Sequence, residues 1–112
     1  MEGTHCNIAS SLEQVAKEAP NQTAISVPHH ATSISFRGLN EESSRLASGL
    51  RQYGLCKGNR VLLLVPFGIE FIALSFALFK GGMVPVFIDP GLGRKNTLKC
   101  IEEAAPQGII AV

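Results

Sequence analysis

The stretch RVLLLVPFGIEFIALSFALFKGGMVPVFI, Arg60 to Ile88, decides the fold. Its first six residues, RVLLLV, form an apolar run without alternation, the pattern of a strand covered on both faces in a parallel sheet. Pro66 and Gly68 break that run. The next segment, IEFIALSFALFK, is apolar nearly all round, so it reads as a buried helix closed by Gly81 and Gly82. VPVFI, residues 84–88, is the next strand. Pro66, Gly68 and Glu70 divide what would otherwise be a long apolar window, so two short elements are expected and no transmembrane segment.

The pattern continues in both directions. Downstream, Pro90, Gly91 and Gly93 make a turn, and RKNTLKCIEEAAP predicts a helix with Leu98, Ile101 and Ala105 on one side. GIIAV follows as a further strand, apolar without alternation and so expected to be covered on both faces. Strand, helix, strand, helix, strand is the order of two right-handed crossovers in one parallel sheet.

Upstream, Asn7 to Ala19 is amphipathic, with Ile8, Leu12, Val15, Ala16 and Ala19 on one face, Asn7 as cap and Pro20 as stop. TAISV and SISF, separated by PHHAT, predict a hairpin with a longer loop. RGLNEESSRLASGLRQYG predicts a helix burying Leu39, Leu46, Leu50 and Tyr53, with Gly54 as the left-handed cap. The fold class is therefore α/β: a partial parallel sheet with flanking helices, preceded by a helix and a β-hairpin.

The 112 residues fit one small domain with a thin core. At 46% hydrophobic and 17% charged, the chain is globular rather than disordered. A net charge of +1, no basic run, one Tyr and no Trp leave no footprint for nucleic acid. Cys6, Cys56 and Cys100 are odd in number and far apart, which suggests neither a disulfide framework nor a zinc pattern and points to a reducing, cytoplasmic setting. The N-terminus lacks the basic and apolar regions of a secretory signal.

Candidate sites are few. Val84 to Cys100 runs from a strand through a glycine turn into Arg94 and Lys95, roughly the layout of a phosphate loop. It lacks the GxxxxGK[ST] spacing, and GLGRKN places Asn96 where a dinucleotide fingerprint needs its third glycine. Arg94, Lys95 and Lys99 begin the predicted helix and Glu102 and Glu103 end it, which opposes the helix dipole. A structural corner and an anion site are both open, the corner being favoured. His29 and His30 are adjacent but have no Cys, Asp or Glu at a ligand spacing, and His5 with Cys6 is weaker. No cysteine sits where its thiol would be activated. Ser10, Ser11, Ser43 and Ser44 follow no nucleophile-elbow pattern. No catalytic, cofactor-binding or metal residue is assigned.

Two stretches carry a family resemblance. ISFRGLNEESSRLASGLRQYGLCKGNRVLLLVP and FIALSFALFKGGMVPVFIDPG resemble the opening motifs of the AMP-forming adenylating enzymes, which include the acyl-CoA synthetases. Ser35, Phe36 and Leu39 match the first motif, (T/S)-(Y/F)-x-E-L. Lys80, Gly82, Val84, Pro85, Val86, Ile88, Asp89 and Pro90 follow the second, K-x-G-(A)-x-x-V-P-(L/I)-(D/N)-P. ALFKGGMVPVFIDPG with EAAP is similar in particular to the fatty-acyl-AMP ligase and olefin β-lactone synthetase branch. Gly38 stands where the family usually has Glu, so a capping box seeded by Ser35 would lose its reach-back bond.

The resemblance implies that residues 1–112 are the N-terminal, incomplete part of a synthetase domain, with the remainder of that domain as partner. The complete enzyme would use ATP and Mg²⁺ to turn a carboxylic acid, in this branch a fatty acid, into acyl-AMP and then transfer the acyl group. The phosphate-gripping S-G-(T/S)-T-G-x-P-K loop, the ribose-binding aspartate and the catalytic lysine of that family do not occur in these residues. On this reading the piece is scaffold, inactive as it stands, and Asp89-Pro90 is a structural corner. The alternatives are an independent small α/β binding module and a non-catalytic truncated product acting by interaction.

Overall fold

The computed structural model describes residues 8–88, 91 and 93–111. The elements run α1 (Ile8–Glu18), β1 (Thr23–Val27), β2 (Thr32–Ser35), α2 (Phe36–Gln52), β3 (Arg60–Leu64), α3 (Ile69–Lys80), β4 (Val84–Phe87), α4 (Arg94–Ala104) and β5 (Gly108–Ala111). The expected α/β order is present. β1 and β2 form an antiparallel hairpin, turned by Pro28–His30 and by Ala31 at a positive φ of 51°. The other three strands form a parallel sheet in the order β4-β3-β5.

β3 is the centre of the molecule. Val61, Leu62 and Leu63 alternate between the two faces of the sheet, and all three are buried. Val61 and Leu63 pack with Leu78 and Met83, with Leu74 of α3 and Ile110 of β5 at the margin. The connection from β4 to β5 runs back across β3, so right-handed crossovers put α4 on the face opposite α3. A second cluster, Leu12, Leu39 and Ala73, ties α1, α2 and α3 together and seats the hairpin through Ile25 and Ile34.

Helix ends explain much of the local sequence. Ser35 caps α2, its Oγ accepting from the Gly38 amide at 3.0 Å. The two amides before it donate to backbone: Phe36 to the Gln22 carbonyl and Arg37 to the Pro20 carbonyl. At position 38 a Cβ would meet Ile34 Cγ1 at 3.0 Å, so glycine relieves crowding as well as costing helix propensity. α2 ends in a Schellman motif, Gly54 N–H to Arg51 O and Leu55 N–H to Leu50 O, with Gly54 at φ +99°. α3 repeats it with Gly82 N–H to Phe79 O and Met83 N–H to Leu78 O.

Several sequence expectations are corrected. The buried face of α1 is Ala9, Leu12 and Ala16, while Ile8 is half exposed. In α2, Ser43 and Ala47 are buried beside Leu39, and Tyr53, the residue after the last helical turn, is 90% exposed. Phe36 opens α2 rather than extending β2. α4 turns Thr97, Cys100, Ile101 and Ala104 inward at helical spacing, and Leu98 and Ala105 lie outside. β5 alternates between half-buried and exposed residues and is not covered on both faces here. Asn7 and the Asp89-Pro90 corner lie outside the described residues.

Candidate functional site

The phosphate-loop-like stretch resolves into β4, residues whose corner is not described, and α4 from Arg94. Arg94, Lys95, Lys99, Glu102 and Glu103 are all exposed. Gly93 at φ +86° precedes α4 and provides no side-chain cap. The far end of that helix is held by an unforeseen group. Arg60, at the start of β3, donates from Nε to the Ala104 carbonyl at 2.8 Å and from its terminal nitrogen to the Ala105 carbonyl at 3.2 Å. Gln107 completes the join: its Oε1 accepts from the Arg60 amide, and its own amide donates to the Arg60 carbonyl. A guanidinium thus sits on the negative end of α4, where Glu102 and Glu103 alone would be unfavourable.

The second unforeseen group is at Lys80. Its ammonium donates to the Asn40 carbonyl at 2.8 Å, to Asn40 Oδ1 at 2.6 Å and to Ser44 Oγ at 2.7 Å, using all three protons. Partial burial pulls the lysine below its usual range, and the charge of Glu13 opposes that shift. Lys80 bolts the last turn of α3 to the middle of α2. The signal for both groups was in the sequence: one cation opens an apolar strand and the other closes an apolar helix. Neither identity named a partner, because the partners are backbone carbonyls and amide side chains distant in sequence.

His29 and His30 are exposed at the hairpin turn. Among the described residues no three His, Cys, Asp or Glu gather into a metal-holding group. Cys56 is exposed and Cys100 half buried, and both are free thiols. His5 and Cys6 lie outside the described residues. Ser43 and Ser75, the buried hydroxyls, donate to the carbonyls of Asn40 and Phe71 in their own helices, which gives neither an activating base.

A cleft of about 610 Å³ opens at the carboxyl end of β3, where open parallel sheets take ligands, lined by His30, Phe67 and Glu70 among others. Its lining includes the Thr32 hydroxyl and the His30 imidazole but no Ser, Cys, Lys or Arg. The second-motif residues instead serve the fold. Lys80 is the bolt, Gly82 ends α3 at φ +71°, and Pro85 lies in β4 opposite Val61. No helix of the described residues is long and apolar enough to cross a membrane.

Known proteins share this arrangement. The olefin beta-lactone synthetase of Xanthomonas campestris pv. campestris is 38% identical over 97% of this chain, which spans 21% of that protein. A Mycobacterium tuberculosis fatty acyl CoA synthetase superposes with a TM-score of 0.91 at 27% identity, covering 98% of this chain and 22% of its own. The N-terminal domain of FACL13 from the same organism gives 0.89 at 28% identity, covering 94% of this chain and 26% of that domain. The chain thus spans about a fifth of the length of the curated relatives it matches. The family profile described as "AMP-binding enzyme" matches residues 12–112, and the chain belongs to the AMP-binding family of adenylating enzymes.

Proposed function

We propose that these residues are the structural opening of a synthetase domain that activates a fatty acid. In the whole reaction a carboxylate oxygen attacks the α-phosphorus of ATP, forming acyl-AMP and expelling pyrophosphate. A thiol or an internal nucleophile then attacks the acyl carbon and AMP leaves. The observation that carries this reading is the family match over residues 12–112, joined to 38% identity with an olefin beta-lactone synthetase.

In this reading residues 1–112 contribute no catalytic side chain. Lys80, Gly82, Arg60 and Ser35 fix helices that support a site built elsewhere in the domain. Among the described residues no three His, Cys, Asp or Glu gather to hold a metal ion. The free thiols of Cys56 and Cys100 suit a reducing, cytoplasmic setting.

The test is a chimera in which residues 8–111 replace the matching segment of the Xanthomonas enzyme. It should be folded and should catalyse fatty-acid-dependent exchange of pyrophosphate into ATP. A soluble, cooperatively folded chimera without exchange activity would overturn the proposal.

A further inference from the structure

We draw no further inference here: the strongest candidate, the apolar surface patch that the rings of Phe67, Phe71 and Phe87 form where β3 and β4 end, carries nothing because nothing in the structure shows what covers it.

Discussion

Gly82 and Lys80 show what single residues of the second motif do. Gly82 sits at φ +71°, and a Cβ there would meet Lys57 Cγ at 2.8 Å. An L-residue in that conformation costs about 1–2 kcal/mol. The Lys57 side chain can swing aside, so backbone strain is the larger cost. Gly82→Ala should therefore lower the unfolding free energy by about 1–2 kcal/mol in urea melts. Lys80 is different, because two of its three acceptors, the Asn40 carbonyl and Oδ1, are partly buried with it. Lys80→Met keeps the apolar stem but leaves the Asn40 amide oxygen without its ammonium. A loss of about 1–3 kcal/mol is expected by the same measurement, and an unchanged midpoint would show that water replaces the bolt at no cost. In this chain the motif lysine packs one helix on another and the glycine at position 82 ends a helix.

At the scale of elements, α4 shows how charge and burial compete. Its first turn has Arg94 and Lys95 against the dipole, its last turn has two glutamates against it, and none of its residues is buried. Arg60 offsets the second misfit by binding the Ala104 and Ala105 carbonyls. Arg60→Met should destabilise the chain by about 1–2 kcal/mol, with the loss confined in hydrogen exchange to α4 and β5. Replacing both Arg94 and Lys95 by Gln should leave the urea midpoint unchanged or raise it slightly, within about 0.5 kcal/mol. A larger loss would mean that the start of α4 binds an anion. Element identity was legible where one pattern dominated: IEFIALSFALFK is helical over its whole predicted length because Gly68 and Gly81 bracket it. Faces were less legible. A single helix has no marker for its partner, so small residues such as Ala9, Ser43 and Ala47 took the closest approaches. The larger Ile8, Tyr53 and Leu98 lie where no described element covers them. The proposed scaffold role rests on the motif residues, whereas the Arg60 and Lys80 contacts join positions 44 and 40 residues apart and needed the fold.

For the whole molecule, the order of opening follows from how burial is distributed. The fully buried side chains concentrate in β3 and α3, with Ser43 and Ala47 of α2 behind them, while α4 has none and β5 only half-buried positions. Segments with little apolar burial open at lower free energy than the core they rest on. β5 keeps one paired edge, to β3, and α4 is tied down chiefly through Arg60 and Gln107. The 112-residue chain should therefore open in at least two steps. In native-state hydrogen exchange, amides of α4 and of Ile109 should exchange through a low-energy opening that leaves Leu62, Leu63 and the middle of α3 protected. Far-ultraviolet ellipticity should fall by a minor amount before the main transition in urea, in proportion to one of the four described α-helices. If every protected amide instead shares one opening free energy, the sheet is a single cooperative unit and does not depend on further strands. The independent-module alternative would then account for the chain better than the scaffold reading does. Exchange from α4 and Ile109 well below the free energy of β3 would mean that this end of the sheet is completed only inside a larger domain.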